Sequence, residues 1–139
     1  MRVVLDTNVL VAALRSQRGA SAFILKAVEE GKLKPVCTVP LFLEYEAVLR
    51  RKEHSSEFGY TQANISMFLT GLAKRIETTE VNFLYRPLLK DTDDDKVVEA
   101  ALNGGARTIV THNVKDFRPF DGKLLLEAQT PASLLENYR

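Results

Sequence analysis

Three features of the sequence predict an α/β fold with a mostly parallel sheet covered by helices on both faces. Apolar runs of three or four residues recur along the chain, too short for helices and typical of buried strands. Segments with helical periodicity separate these runs. The 139 residues, 45% hydrophobic and 27% charged, suit one folded domain over 1–139.

The first half of the chain predicts two strands, each followed by a helical segment. In chain order, we expect a strand at 3–5, helix from about 8 to 31 with a break at Gly19, a strand at 36–39 and a helix from 40 to about 51. Gly31 is a plausible helix stop, and Pro40 suits a first helical turn. The polar segment 52–59 predicts a loop.

The second half continues the alternation. In chain order, we expect a helix over about 61–75, an irregular stretch around Pro87, a helix over 93–103, a strand at 108–111, a further strand at 124–126 and a last helix from Pro131. The first of these helices has apolar residues at 65, 68, 69, 72 and 76, which is the spacing of one helix face. Thr130 before Pro131 is a favourable cap.

Composition excludes several classes of protein. A net charge of +1 gives no overall basic field, so any nucleic-acid contact must be a local patch. The single cysteine, Cys37, excludes an internal disulfide framework. No apolar run approaches 18 residues and Asp6 interrupts any leader, so we expect a reduced, cytoplasmic protein. Phosphate-loop, dinucleotide-binding and nucleophile-elbow motifs are absent from the sequence.

Acidic residues follow the predicted strands, at the sheet edge where α/β proteins bind ligands. Asp6 ends the first strand, although an N-cap is an alternative role for it. Glu44 lies beside the apolar stripe of its helix, whereas Glu46 faces solvent. A carboxylate near the core needs a partner, either a metal ion or a nearby lysine or arginine.

Four more acids, Asp91, Asp93, Asp94 and Asp95, surround the start of a predicted helix. The helix dipole and capping favour acids there. These effects do not explain an acid on the apolar face, where extrapolation at about 100° per residue places Asp94.

The last candidate site follows the strand at 108–111. Asn113 offers an oxygen ligand and Asp116 offers a charged one, although a simple loop is the alternative. His54 and His112 are too few and too distant for a histidine site, and His54 should be solvated. Carboxylates without a His or Cys cluster favour Mg²⁺ or Mn²⁺.

Taken together, the segments 4–10, 40–49, 91–98 and 108–117 resemble, in order, those of the PIN-domain family of metal-dependent nucleases, and in particular its small toxin-type members. The resemblance implies a three-layer α/β/α fold and an endoribonuclease that uses divalent metal. It implies that Asp6, Glu44 and Asp94 are the first three acids. At the fourth place this sequence has Asn113, so either Asn113 is a neutral ligand or Asp116 supplies the charge.

The same resemblance implies an antitoxin partner and a homodimer. Residues expected to orient ligands or water are Thr7, Asn8 and Thr111. Residues expected to contact RNA are Arg15, Arg18, Arg50, Arg51 and Lys52, although the last three could instead complement the C-terminal dipole of their helix. Four aromatic residues could form a partner face or simply belong to the core: Phe42, Phe58, Tyr60 and Phe68.

Two other functions remain open. Asp6 after a first strand also fits a haloacid-dehalogenase-type phosphatase, but such enzymes need an aspartate two residues later, where this chain has Asn8. A PIN-like domain without the fourth acid could also bind RNA or protein without cleaving anything.

Overall fold

The computed structural model describes residues 1–81, 92–120 and 126–138. The strands are β1 (Arg2–Leu5), β2 (Lys34–Cys37), β3 (Glu77–Thr78), β4 (Thr108–Val110) and β5 (Glu127–Gln129). The helices are α1 (Thr7–Arg15), α2 (Ala20–Glu29), α3 (Val39–Leu49), α4 (Lys52–Phe58), α5 (Gln62–Arg75), α6 (Thr92–Gly104) and α7 (Pro131–Tyr138), with a 3₁₀ helix at Val114–Phe120. The stretch around Pro87, Asp91 and most of the predicted strand 124–126 lie outside the described ranges.

The strands form one parallel sheet in the order β3-β2-β1-β4-β5. β1 is central because its side chains Val3, Val4 and Leu5 are apolar and buried, which suits a strand covered on both faces. Its register with β4 pairs Leu5 with Val110. This pairing places the residues that follow the two strands side by side.

Helices cover the sheet in the three-layer α/β/α arrangement that the family resemblance implied, and that expectation is confirmed. Helix α6 packs against β1, β2 and β4, while α1 and α7 both pack against α2. No helix in the described ranges is both long and apolar enough to cross a lipid bilayer.

Most predicted elements are present, and their ends follow the expected signals. Gly31 has a φ of 80°, the left-handed conformation that suits a glycine after a helix. The strand predicted at 36–39 ends two residues earlier, because Thr38 caps α3 and accepts a hydrogen bond from the Leu41 backbone N–H at 3.3 Å. Thr130 likewise caps α7, through the Ser133 backbone N–H at 3.1 Å.

The structure differs from the sequence prediction at two elements. The segment 52–59 forms α4 instead of a loop, because Phe58 packs against the core and the helix contacts α1 and α3. Strand β3 was missed, since it is only two polar residues long and is recognisable only by its pairing with Val36 and Cys37. The described strand β5 is Glu127–Gln129, directly after the segment 124–126, of which the structure describes only Leu126.

The four aromatic residues that could have formed a partner face are all partly buried and packed against the core. Phe42 packs edge-on against Tyr45, and Phe58 lies between His54 and Tyr60. This packing favours the core interpretation of these side chains.

Candidate active site

Asp6 lies at the carboxyl end of the central strand, between β1 and α1. Its backbone N–H donates to the Val110 carbonyl oxygen at 2.9 Å, so the sheet ladder continues up to this residue. The residue is only 6% exposed. A carboxylate that is this deeply buried needs polar partners, and they decide what Asp6 can do.

The Asp6 side chain does not cap α1, although the residue occupies the N-cap position with an extended backbone. Its Oδ2 instead accepts a hydrogen bond from the Thr111 hydroxyl at 2.8 Å and another from the Asn8 amide at 3.3 Å. In the described part of the chain, no lysine or arginine forms an ion pair with it. The N-cap interpretation therefore does not explain this side chain.

Burial raises the pKa of Asp6 to about 6. The hydrogen bonds from Thr111 and from the Thr7 backbone oppose this rise, while the negative charges of Glu44 and Asp116 add to it. Desolvation is the largest of these causes. The Asp6 carboxylate is therefore charged at neutral pH in an environment that disfavours the charge. A bound cation would stabilise the charged form.

Glu44 projects from α3 and its side chain is 13% exposed. The Thr7 hydroxyl donates to its Oε2, and the Lys96 ammonium lies 3.7 Å from its Oε1. The ion pair that the sequence left open as an alternative is thus present. It leaves Glu44 beside Asp6, close enough for its charge to raise the pKa of Asp6.

Asp94, at the start of α6, shares one cleft with Asp6 and Glu44. The cleft has a volume of about 580 Å³. Its lining consists of Asp6, Thr7, Asn8, Val11, Ala12, Arg15, Glu44, Val48, Arg51, His54, Asp94, His112 and Asn113. Three acids that are far apart in sequence, and Asn113, therefore face a common space.

The helical-face argument that selected Asp94 was wrong about burial. Asp94 is only partly buried, whereas Asp95 is fully buried and Glu99, one turn later, is 1% exposed. The reason is that α6 is buried around most of its circumference over 97–101, so it has no single apolar face to extrapolate. The sequence reasoning missed Glu99, although its spacing of four from Asp95 was a signal.

Asn113 and Asp116, the two candidates for the fourth ligand, are both exposed. Asn113 lines the cleft, and its backbone N–H donates to the Thr111 hydroxyl oxygen at 3.0 Å. Asp116 lies in the 3₁₀ helix and is not part of the described cleft lining, although its charge contributes to the raised pKa of Asp6. The geometry favours Asn113 for direct contact with a ligand.

Asp6 and Glu44 are hydrogen-bonded to a set of polar side chains, those of Thr7, Asn8 and Thr111. The Asn8 amide also donates to the Thr111 hydroxyl at 3.3 Å, and its Oδ1 accepts the His112 backbone N–H at 3.2 Å. Each of these two hydrogen bonds positions a side chain that itself hydrogen-bonds Asp6. The network therefore holds the Asp6 carboxylate in one orientation.

The sequence did not predict that either histidine lines the cleft. His112 lines the cleft, where its Nε2 lies 2.9 Å from the Ser21 hydroxyl and burial lowers its pKa. His54 was expected to be solvated, but it is half-buried, stacks on Phe58 with ring centroids 5.8 Å apart, and lines the cleft. No sequence motif marked either contact.

The basic residues divide into two groups. Arg15 and Arg51 line the cleft, and Arg15 also pairs with Glu57 at 2.7 Å. Arg50 points elsewhere, because its guanidinium hydrogen-bonds Gln62 and Ser66 of α5. Arg18 and Lys52 are exposed and lie outside the described lining.

The donors in the cleft fit a hard divalent cation by their chemistry. Asp6, Glu44, Asp94 and Asn113 offer oxygen ligands, which Mg²⁺ and Mn²⁺ prefer. Within the described residues, however, no three His, Cys, Asp or Glu side chains already form a ligand cluster. Coordination of one ion by three of these side chains would therefore require them to move closer together.

Comparison with known proteins identifies the family. A model of the PIN domain matches residues 2–115, most of the chain, and this protein therefore belongs to the PIN-domain family. Among solved structures, the chain is similar to a chain in the crystal structure of VapBC2 from Rickettsia felis, in which VapBC2 is bound to a DNA fragment from the VapBC2 promoter. The TM-score is 0.62 at 19% identity, with 94% of this chain and 98% of the other covered, so the likeness concerns the fold. The comparison with curated proteins found no match.

Proposed function

We propose that this PIN-domain protein is a metal-dependent endoribonuclease and the toxin of a toxin–antitoxin pair. The observation that carries the proposal is the buried Asp6 carboxylate, which faces a cleft shared with Glu44 and Asp94 and has no cationic partner in the described chain. A buried carboxylate that stays charged at neutral pH lowers the stability of the fold. Destabilising groups of this kind are found preferentially at functional sites.

The residues that would hold Mg²⁺ or Mn²⁺ are Asp6, Glu44 and Asp94, with Asn113 as a neutral ligand. When bound, the ion would neutralise charge on the scissile phosphate and lower the pKa of a water molecule. Thr7 orients Glu44, and Thr111 orients Asp6. These two hydroxyls would keep the orientation of the Glu44 and Asp6 carboxylates while the ligands move together around the ion.

The arginines of the cleft would hold the RNA backbone. Arg51 is exposed on the lining, where its guanidinium can contact a phosphate. Arg15 is kept near the cleft by Glu57 and can contact a second phosphate. The overall charge of +1 makes such local contacts necessary, because the protein has no general attraction for RNA.

The proposed partner is an antitoxin protein, and the proposed state is a homodimer in the cytoplasm, where the RNA substrate is found. Support comes from the resemblance to toxin-type PIN proteins and from the fold shared with a chain of VapBC2. A groove of about 350 Å³ between α2 and α5, lined partly by the exposed Met67, is a surface that a partner could cover.

Paired substitutions on α3 test the nuclease. Glu44→Gln removes a cleft carboxylate, whereas Glu46→Gln removes a neighbouring acid whose side chain is 47% exposed. We expect Glu44→Gln and Asp6→Asn to abolish Mn²⁺-dependent RNA cleavage, and Glu46→Gln to leave it unchanged. Chelator should stop wild-type cleavage. Equal cleavage by wild type and Asp6→Asn would refute the proposal.

A catalytically weakened RNA- or protein-binding module is the second candidate. It is favoured by Asn113, which replaces a charged ligand, and by Lys96, which offsets the charge of Glu44. Tight RNA binding without turnover across several divalent ions would support it. A phosphatase of the haloacid-dehalogenase type has less support, because Asn8 is engaged in holding Asp6.

A further inference from the structure

Tyr45 is a buried residue of α3, only 2% exposed, and it directly follows Glu44 in the sequence. Its hydroxyl donates a hydrogen bond to the backbone carbonyl oxygen of Leu5, the last residue of β1. Asp6 is the next residue of the chain after Leu5. The hydrogen bond therefore joins the residue after Glu44 to the residue before Asp6.

A second hydrogen bond joins the same two segments of the chain. The Thr7 hydroxyl donates to Glu44 Oε2. Leu5 and Thr7 lie on either side of Asp6, so the strand end that carries this acid is attached to α3 at two adjacent points. The Tyr45 bond ends on a backbone atom, whereas the Thr7 bond joins two side chains.

A buried tyrosine hydroxyl needs a hydrogen-bond partner in any protein, so the bond alone does not indicate a function. Its position does, because two of the acids that line the cleft are each one residue away from an end of the bond. Burial raises the pKa of Tyr45 well above its ordinary value, and nearby Cys37 and these two acids add to the rise. The hydroxyl therefore keeps its proton, and remains a donor, at neutral pH.

The geometry of a metal site depends on such a constraint. Oxygen ligands lie at about 2.0–2.1 Å from Mg²⁺ in a nearly octahedral arrangement, so the chain segments that carry them need defined positions. Burial of the apolar face of α3 is non-directional and does not define its position along β1 closely. A hydrogen bond does, because it restricts both the distance and the angle between its two groups.

We propose that Tyr45 is a positioning residue of the metal site, whose bond to Leu5 sets the distance between the backbones that carry Asp6 and Glu44. This inference rests on the proposed function, because it assumes that these two acids are metal ligands. Tyr45 is not part of the described cleft lining, so it acts through the two acids and not by contact with the ion or with RNA.

The test is a calorimetric titration of the chelator-treated full chain with Mn²⁺. Tyr45→Phe removes only the hydroxyl, and we expect it to bind Mn²⁺ about tenfold more weakly than wild type. Its affinity for single-stranded RNA in chelator, measured by filter binding, should be unchanged. Thr79→Val is the matched control, because the Thr79 hydroxyl donates to the Asn103 backbone carbonyl oxygen at 3.1 Å and neither residue is part of the described cleft lining. It should bind Mn²⁺ as wild type does.

An Mn²⁺ affinity of folded Tyr45→Phe within about twofold of wild type would overturn the inference. An equal loss in Thr79→Val, or a parallel loss of RNA affinity in Tyr45→Phe, would also overturn it, because either result would indicate a general loosening of the fold. A measurement on wild type decides even if Tyr45→Phe does not fold by circular dichroism. The Tyr45 hydroxyl proton should remain protected from solvent exchange by NMR after Mg²⁺ is added, and loss of that protection would contradict the inference.

Asp6→Asn separates the two proposals. Should it bind Mn²⁺ as wild type does, the metal site and the nuclease both fail, and the role of Tyr45 fails with them. Should Asp6→Asn lose Mn²⁺ binding while Tyr45→Phe keeps the wild-type affinity, only the role of Tyr45 fails.

Discussion

The Thr111 hydroxyl donates a hydrogen bond to Asp6 Oδ2 at 2.8 Å, and both residues are buried. The contact follows from the register of the sheet, in which Leu5 pairs with Val110, so that the next residues of β1 and β4 lie side by side. Thr111 also accepts the Asn113 backbone N–H at 3.0 Å, which fixes the direction of its own donation. Backbone pairing therefore orients the acid.

The first prediction concerns stability. The pKa of Asp6 is raised in the folded chain from 3.8 to about 6, so protonation favours folding. This contribution is fully present below pH 3.8 and is lost as the pH rises through about 6. At pH 7.5 in chelator, Asp6→Asn should therefore raise the free energy of unfolding by about 1–3 kcal/mol. Urea unfolding measures the change.

At pH 4 the folded wild type is protonated at Asp6, so the gain from Asp6→Asn should largely disappear. Glu46→Gln, on α3 with a side chain that is 47% exposed, serves as the control and should change stability little at either pH. If Asp6→Asn instead lowered the free energy of unfolding at pH 7.5, the charge of Asp6 in the wild type would not be destabilising.

The second prediction concerns the hydroxyl of Thr111. Thr111→Val keeps the shape of the side chain but removes the hydrogen bond that lowers the pKa of Asp6. The pKa of Asp6 should rise above about 6, and stability at neutral pH should fall by about 1–3 kcal/mol. A carbon-13 NMR titration of the Asp6 carboxyl measures the pKa. Thr111→Ser retains the donor, and a shift there equal to that of Thr111→Val would contradict the argument.

The third prediction separates two adjacent arginines. Arg51 lines the cleft, whereas Arg50 is bound to Gln62 and Ser66. Arg51→Ala should weaken binding of single-stranded RNA and reduce the slope of log affinity against log salt by about 0.7. Arg50→Ala should leave the slope unchanged. Filter binding of the chelated protein at several salt concentrations measures both, and equal slopes would remove Arg51 from the RNA contact.

The sequence predicted the α/β class because short apolar runs and amphipathic segments are local patterns. It also predicted the sheet edge at which Asp6 lies, because the end of a buried strand can be recognised from the sequence alone. It could not show that the Thr111 hydroxyl orients Asp6, because that contact depends on which strands are neighbours. The burial of Asp95 and the pairing of Lys96 with Glu44 were equally hidden, since both arise from packing around α6.

The last prediction decides between the two candidates for the fourth ligand. Asn113 lines the cleft, whereas Asp116 acts on Asp6 only through its charge. Asn113→Ala should therefore reduce Mn²⁺ affinity by about tenfold or more, while Asp116→Asn should change it by less than about threefold. Asn113→Asp adds a negative charge to the cleft and should strengthen binding. Calorimetric titration compares the three variants. A larger loss for Asp116→Asn than for Asn113→Ala would assign the ligand to Asp116, and the 3₁₀ helix would then have to move towards the cleft when the ion binds.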